Sequence, residues 1–461
     1  MKQKFLILFL TLTLSGCLVG PKVEKTEKKG AENYRTATNM PAGDSTAIMK
    51  WAEVYQDPVL QSLITTALKQ NYDVLTAMAK IDESRAAAGY SKADIFPSLN
   101  YTAGASKLNL DNSSANELGI QQRDVFYGFG LLSWELDIWG KARHGNRSAK
   151  AELAASIESQ RAVTSSLIAQ VALLYFQLRG LDDRLAIANA TLVLRKEATR
   201  LITLRFKGGE VAELDKFQAE TQEAIAAALV PSLERDVQQT ENALSILLGH
   251  LPGEIDRGLE LRQQKIVEIP AGLPSDLLAR RPDVNKAEQQ WIAQNERIGV
   301  SQAQRFPTIS LTGALGVASN DLSTISSGGG IWHLAGGITG PLFAFNKNKR
   351  RVEIERARTE QSRLQYEKAA LTAFAEVEDA LIAVNTYARE YEARARQVEA
   401  VRGATLLSRR RYDDGFTNYL EVLDNERTLL DAELQASTTL QRQLQATVQL
   451  YKALGGGWQT N

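Results

Sequence analysis

Two stretches of helical sequence without proline, residues 142–207 and 347–413, limit most strongly how this chain can fold. At ~1.5 Å per residue, each would form a helix of roughly 100 Å. An ordinary globular domain has no room for such a helix. In the second stretch, apolar side chains recur at intervals of three and four residues from Phe374 to Val398. This heptad spacing predicts coiled-coil packing along the length of the helices.

The sequence also contains an internal repeat, first at an offset of 210 residues and then at an offset of 206. The matches include Asp73-Val74 with Asp283-Val284, Phe96-Pro97 with Phe306-Pro307, Arg205-Phe206 with Arg411-Tyr412, and Leu248-Gly249 with Leu454-Gly455. A near-constant offset over about 180 residues predicts a duplicated fold. We place the first copy at residues 58–250, a linker with irregular structure at 251–274 and the second copy at 275–461.

Each copy is predicted to contain a helix, two strands, the very long helix, a tight turn and a shorter helix. The shorter helices are predicted at residues 58–92, 212–248, 275–304 and 418–454. Pro231 lies inside one of them, where we expect a kink, because an interior proline removes a helical hydrogen bond.

Strands are predicted where polar and apolar side chains alternate, at residues 98–103 and 308–312 and in partner segments at 126–136 and 332–342. The fold class is therefore mostly α with a small β part of four strands per chain. Four strands cannot close a barrel, since the smallest closed barrels need about eight. An open sheet edge cannot lie in lipid. The strands must either pack in a soluble sheet or be completed by other subunits.

The N-terminus has the features of a bacterial lipoprotein signal. Two lysines precede an apolar run that ends at Leu14, and two small residues stand before the only cysteine, Cys17. This pattern predicts a signal peptide at residues 1–16, lipid attachment at Cys17 and an extended tether over residues 17–57. The alternative is an ordinary signal peptide with a chance cysteine. Leu18, directly after Cys17, indicates the outer membrane rather than the inner one.

Composition disfavours several classes of protein. Lysine plus arginine and aspartate plus glutamate both number 54, so the formal net charge is zero and a nucleic-acid partner is not expected. One cysteine and three histidines exclude a disulfide framework and argue against a metal site. The sequence has no Gly-x-Ser-x-Gly motif and no complete phosphate-binding glycine motif. We therefore expect no enzyme activity and no cofactor.

The turn between the second long helix and its successor carries two acidic residues. Gly415 can adopt the left-handed backbone that ends a helix. Glu421 and Asp424 stand three residues apart, on one face of the first turns of the next helix. For an arbitrary protein, this pattern indicates a solvated turn with carboxylates favoured by the helix dipole.

Several motifs, in this order and across the duplication, resemble those of TolC-like outer-membrane efflux channels. The match is to the lipoprotein (NodT-type) branch that serves resistance–nodulation–division pumps, and it covers nearly all of the mature chain. The motifs are Cys17 with Val19-Gly20-Pro21, the run Leu278–Val284, the run Phe306–Leu311, the run Tyr419–Asp424 and the run Ala453–Trp458.

The resemblance implies a homotrimer with a twelve-stranded barrel in the outer membrane, lipid-anchored and continued by a helical tunnel in the periplasm. A periplasmic adaptor and an inner-membrane pump would dock at the end of the tunnel. The positions matching the closing ring are Asp215, Glu421 and Asp424, and the turns at the tunnel end carry Gly209, Gly415 and Thr417. Some related channels have an arginine at the position of Thr417 that pairs with the aspartate of the first turn, so this bond is not expected here.

Two alternatives to an efflux duct remain open at the level of sequence. One is the outer-membrane duct of a type I protein secretion system, which has a similar architecture. The other is a periplasmic adaptor or structural lipoprotein, which would have helical hairpins but not two strand pairs separated by 210 residues.

Overall fold

The computed structural model describes residues 19–21, 49–107, 124–267, 269, 274–326 and 330–458. The predicted signal peptide, the lipid attachment site Cys17 and most of the predicted tether lie outside these residues. None of the described helices combines the length and the apolar content that crossing a membrane requires.

The described elements follow the predicted order of helix, two strands, long helix and shorter helix, twice. They are α1 (Trp51–Val54), α2 (Pro58–Gln70), α3 (Tyr72–Ala93), β1 (Ser98–Lys107), β2 (Asp124–Leu136), α4 (Lys141–Lys207), α5 (Glu213–Leu247), α6 (Pro274–Arg280), α7 (Pro282–Ala303), β3 (Thr308–Ser319), β4 (Gly330–Thr339), α8 (Lys347–Asp413) and α9 (Tyr419–Ala453). Short 3-10 turns lie at Leu261–Gln263 and Leu322–Thr324. Helices α4 and α8 each have 67 residues. The predicted class, mostly α with a small β part, is confirmed.

The helices that precede the two strand pairs are interrupted, and the prediction of continuous helices at 58–92 and 275–304 was wrong. The first break is at Asn71, whose backbone is extended. Its side-chain oxygen accepts hydrogen bonds from two N–H groups at the start of α3, which caps the new helix. The second break is at Arg281, the repeat equivalent of Asn71. Pro282 follows it, and a proline disfavours helical backbone in the residue before it.

Pro231 lies inside α5, which continues past it as a helix from Glu213 to Leu247. The proline has no N–H, so the carbonyl of Ala227, four residues earlier, loses its usual helical donor. The predicted kink at this position stays a prediction.

The strands form one antiparallel sheet in the order β1-β2-β3-β4. Ser98 faces Ser133 in the first hairpin, and Thr308 faces Thr339 in the second. These partners differ by the offsets of 210 and 206 seen in the sequence, so the two hairpins have the same register. Strand β4 ends at Thr339, earlier than predicted, because its partner β3 begins at the facing residue Thr308. The equivalent pair Ser98 with Ser133 ends the first hairpin, and β2 continues to Leu136 through its pairing with β3.

The chain divides into two compact units, and each takes segments from both halves of the repeat. The sheet unit contains Lys80–Ser156 and Lys286–Glu367, together with the described N-terminal residues 19–21. The helical unit contains Ile157–Asn285 and Lys368–Asn461, together with the residues up to Ala79.

In the sheet unit, His144 is buried in the first turn of α4. Its ring nitrogen Nδ1 lies 2.5 Å from a carboxylate oxygen of Glu296. A Cβ atom added at Gly20 or Gly299 would lie within 2.8 Å of the imidazole ring. Only glycine therefore fits against this ring at these two positions.

In the helical unit, side chains at heptad positions form the core. Ile168 and Tyr175 of α4 are buried, and so are Val377, Leu381 and Val398 of α8. The other residues of the α8 heptad pattern are half-buried. The apolar stripe read from the sequence is therefore the face of α8 that packs inward.

A buried carboxylate joins three segments of the helical unit. Asp57, at 1% exposure, precedes α2 and accepts a hydrogen bond from the N–H of Val59 at 2.9 Å. It also accepts from the Tyr175 hydroxyl at 2.7 Å, the N–H of Leu259 at 2.9 Å and the side-chain amide of Gln264 at 2.8 Å. The Asp57 side chain is thus one of the contacts that join the predicted linker to the long helix α4.

Candidate functional site: the tip of the helical unit

The chain reverses direction at two turns in the helical unit, between α4 and α5 and between α8 and α9. Gly209 and Gly415 occupy the same place in them, with φ of +79° and +80°. In both turns, the N–H of the residue after the glycine donates to a carbonyl near the helix end, that of Arg205 at 2.9 Å and that of Arg411 at 2.7 Å. This is the Schellman ending of a helix. We call the two turns and the adjoining helix ends the tip.

A small apolar core joins the two turns of the tip. It consists of Ile202, Ala219, Tyr419, Val422 and Leu423, with Val211 and Tyr412 packed against it. The rings of Tyr412 and Tyr419 lie 5.3 Å apart. Burial, followed by the nearby Glu426 carboxylate, raises the pKa of Tyr419 to about 12. The turns of the two repeats therefore pack as a single body.

Glu421 has its charge balanced within its own hairpin. One carboxylate oxygen lies 3.2 Å from a guanidinium nitrogen of Arg411, and the other accepts a hydrogen bond from the Thr417 hydroxyl. Its backbone N–H donates to the side chain of Asn418, which caps α9, at 3.1 Å. Thr417 thus makes a local contact at the position where some related channels have an arginine.

Asp424 lies on the more exposed part of the tip. Its carboxylate is 2.8 Å from the guanidinium of Arg427, and both side chains are well exposed. It also lines a cavity of about 320 Å³ with Leu214, Phe217 and Leu420, among others. Because Phe217 belongs to α5 and Asp424 to α9, this cavity lies between the two helices that begin at the turns.

Asp215 is the repeat equivalent of Glu421. The arginine equivalent to the ion-pair partner of Glu421, however, pairs with a different carboxylate. Arg205 corresponds to Arg411, and its guanidinium lies 3.6 Å from the carboxylate of Asp413. The same guanidinium lies 5.6 Å from the centre of the Tyr412 ring. Asp215 is half-buried, and no ion pair to its carboxylate is present among the described residues.

The pair of Arg205 and Asp413 crosses from the first hairpin to the second, and the sequence prediction did not include it. The repeat, in which Arg205-Phe206 matches Arg411-Tyr412, indicated that the arginine occurs in both copies. The repeat gave no such indication for the aspartate, because the residue equivalent to Asp413 in the first copy is Lys207.

A second ion cluster joins the hairpins further from the turns. Glu426 of α9 pairs with Arg195 of α4, and their side chains are only 14% and 6% exposed. Arg409 of α8 approaches the same carboxylate at 3.5 Å. One glutamate therefore connects three helices. Sequence reasoning missed this cluster, since neither its spacing nor its composition differs from that of an ordinary charged helix surface.

The sequence matches the model of the family described as outer membrane efflux protein over residues 63–250 and 273–456. The chain belongs to the outer membrane efflux protein family. The efflux protein is 34% identical to the toluene efflux pump outer membrane protein TtgI of Pseudomonas putida, over 99% of each chain. It is 32% identical to the outer membrane protein OprJ of Pseudomonas aeruginosa, over 98% of this chain and 95% of the relative.

The fold of the efflux protein is also that of a solved channel. The open state of the Neisseria gonorrhoeae MtrE outer membrane channel matches with a TM-score of 0.86 and 30% identity, over 96% of this chain and 99% of the channel. The efflux protein is therefore an outer-membrane channel component of an efflux pump and not an enzyme. Within the described residues, no group of three or more His, Cys, Asp and Glu side chains is placed to hold a metal ion.

Proposed function

We propose that this efflux protein is the exit duct of a tripartite pump and works as a homotrimer. In this proposal, three four-stranded sheets form a twelve-stranded barrel in the outer membrane. The helices form a tunnel in the periplasm, and a periplasmic adaptor connects the tunnel to an inner-membrane resistance–nodulation–division pump. The repeat boundaries at 58–250 and 275–461 are the two halves of each subunit.

The observation that carries the proposal is the open sheet. Among the described residues, strands β1 and β4 end the strand order, and β2 and β3 lie between them. Edge backbone groups of an outer-membrane sheet need partners, because lipid offers none. Apolar side chains on the edge strands are well exposed, among them Leu99 at 76%, Leu334 at 71% and Ile338 at 73%. Further copies of the chain supply both the missing partners and the strand number that a closed barrel needs.

The substrates proposed are small toxic organic compounds. Relatives over nearly the full length are named for the efflux of toluene, solvents and antibiotics. We also propose that Cys17 carries the lipid anchor, on the strength of the signal-like sequence before it.

The proposed assembly is tested by native mass spectrometry of the full-length protein extracted in mild detergent. We expect three chains per particle and an oligomer band in unheated SDS gels that boiling converts to monomer. A monomer under both conditions would rule out the proposed duct.

The efflux role is tested by deleting the gene and measuring growth against a panel of solvents, dyes, antibiotics and metal salts. Sensitivity to organic compounds is expected, and restoring the gene in trans should reverse it.

We further propose that Asp215, Glu421 and Asp424 form the constriction at the tip. Three copies of each carboxylate around one axis would attract cations and repel anions. Arg411 and Arg427 balance Glu421 and Asp424 within each subunit. Asp215 has no such cation among the described residues, so it should contribute most of the net negative charge.

Asp215→Asn is therefore expected to reduce the preference for K⁺ over Cl⁻ by about twofold or more, and Asp424→Asn by less. The permeability ratio is measured from reversal potentials in planar bilayers under a salt gradient.

Replacing Glu421 and Asp424 together by alanine should raise conductance or weaken block by divalent cations. If none of these variants differs from the wild type, the constriction lies elsewhere.

A further inference from the structure

Trp139 forms an aromatic contact just beyond the paired part of β2 and β3. Its ring stacks on Phe306, with centroids 4.6 Å apart and planes 19° from parallel. Its indole N–H donates to the carbonyl of Pro307 at 2.7 Å. The last ladder pair of these strands is Leu136 with Ile309. The stack therefore continues their pairing at one end of the sheet.

The repeat contains the same aromatic residues a second time, but in one chain they belong to strands that are not neighbours. Trp139 corresponds to Phe345 at the offset of 206, and Phe306 corresponds to Phe96 at the offset of 210. Phe345 follows β4 and Phe96 precedes β1, which are the two ends of the strand order. Phe345 is 84% exposed and Phe96 is 59% exposed.

The backbone around Phe345 supports this correspondence. Gly140, after Trp139, has φ of +84°, and its equivalent Asn346 has φ of +63°. The helix begins in the same way after each of them, with a hydrogen bond to the carbonyl of Gly140 or Asn346 from the N–H four residues later. The helix after Asn346 therefore begins as the helix after Gly140 does. Phe345 differs from Trp139 in its positive φ of +43°, and in the single chain its ring lies 4.4 Å from that of Phe343.

We propose that Phe345 of one copy of this chain stacks on Phe96 of a neighbouring copy, with β4 of the first paired antiparallel to β1 of the second. The inference rests on the homotrimer proposed above and adds the contact residues and the strand register to it. Both hairpins obey the offsets of 210 and 206, so the β2–β3 register can be transferred to β4 and β1. The pair Leu136 with Ile309 becomes Leu342 of one copy facing Leu99 of the next, so β4 would extend three residues beyond its end in the single chain.

The side chains brought together in this register fit one another chemically. Leu342 is fully exposed and Leu99 is 76% exposed in the single chain. Further along, Leu132 with Gly313 becomes Ile338 facing Ala103. Ile338 is itself 73% exposed. Facing apolar pairs stabilise antiparallel strands, and a slip by one residue would turn every side chain of β4 to the other face.

The register is tested with pairs of cysteines in the full-length protein. In L99C/L342C the two thiols face each other directly, and in Y101C/L342C they lie two residues out of register. Outer-membrane fractions are oxidised with copper–phenanthroline and boiled in SDS without reductant. We expect covalent dimers and trimers of L99C/L342C, which a reductant converts to monomer. Linking of Y101C/L342C should be at least about fivefold weaker, because a disulfide requires Cβ atoms about 4 Å apart.

Each single-cysteine variant serves as a control for linking through Cys17, which is present throughout. Preferential linking of Y101C/L342C would overturn the register. If neither pair is linked while native mass spectrometry shows trimers, the proposed contact between Phe345 and Phe96 is rejected. The proposed homotrimer is then still supported. Particles that are monomeric before any oxidation would overturn both proposals together.

Discussion

Glu426→Ala is expected to lower the free energy of unfolding of the tip by about 3–5 kcal/mol, the typical result of removing one partner from a buried ion pair. Arg195 would be left buried without its counter-ion, since its side chain is 6% exposed. Arg409 would lose its carboxylate too, but it is 42% exposed and water can solvate it. Because Glu426 joins α4, α8 and α9, its loss should also loosen the two hairpins from each other.

Two measurements check this result. Hydrogen exchange should become faster in the ends of α4 and α9, and in planar bilayers the variant channel should show higher conductance than the wild type. Glu399→Ala is the matched control, because Glu399 pairs with Arg402 at a site where its side chain is 74% exposed. Such an exposed pair contributes only about 0–1 kcal/mol.

The double variant Arg195→Met/Glu426→Leu separates loss of charge from loss of packing. Apolar side chains of similar volume can replace a buried ion pair with little loss of stability. The double variant should therefore recover most of the stability that Glu426→Ala loses. Equal effects of Glu426→Ala and Glu399→Ala would show that the buried cluster does not hold the hairpins together.

Asp57→Ala is expected to be comparably destabilising, on the order of 3–5 kcal/mol, since each buried donor left without an acceptor costs about 1–3 kcal/mol. The substitution would remove the acceptor for Val59, Tyr175, Leu259 and Gln264 together. The linker after α5 would then lose one of its connections to α4, while the bond from Arg179 to the carbonyl of Leu259 would remain. Thermal unfolding followed by circular dichroism in detergent measures the loss. Glu83→Ala, which removes an exposed partner of Lys80, should change little.

The effect of Asp57 should depend on pH in a defined direction. Burial alone would raise the pKa of Asp57, but hydrogen bonds from Tyr175, Gln264 and two backbone N–H groups outweigh it and lower the pKa below its usual value. A carboxylate with a lowered pKa in the folded state stabilises the fold fully above its unfolded pKa, about 3.9. That contribution is lost as the pH falls through the lower, folded-state pKa. The difference between wild type and Asp57→Ala should therefore shrink in acid, and a constant difference would contradict this role.

Much of the fold could be read from local patterns in the sequence. The long helices, their turns at Gly209 and Gly415, and the strand hairpins are set by proline-free periodicity, by glycines and by alternation. These signals act over a few residues and do not need a partner elsewhere in the chain. The repeat offsets even predict the shared register of the two hairpins, because equal sequence spacing places equivalent residues at equivalent positions.

The contacts of the charged residues were decided by the tertiary structure alone. The repeat makes Arg205 equivalent to Arg411, yet Arg411 pairs with Glu421 and Arg205 crosses to Asp413. Which carboxylate an arginine reaches depends on the helices that pack beside it, here from segments about 200 residues apart. For the same reason, the sequence marked Asp215 as acidic but could not show that its expected cation is engaged elsewhere.

The helix breaks show the same division between sequence and structure. The sequence by itself determined that helices precede each strand pair, through their caps and apolar spacing. Only the fold decided that the first of them stops at Asn71, whose side-chain amide donates to the carbonyl of Leu247 at 3.0 Å. That bond joins residues 176 positions apart. It forms only when α5 is already packed there, and a pattern of neighbouring residues carries no information about it.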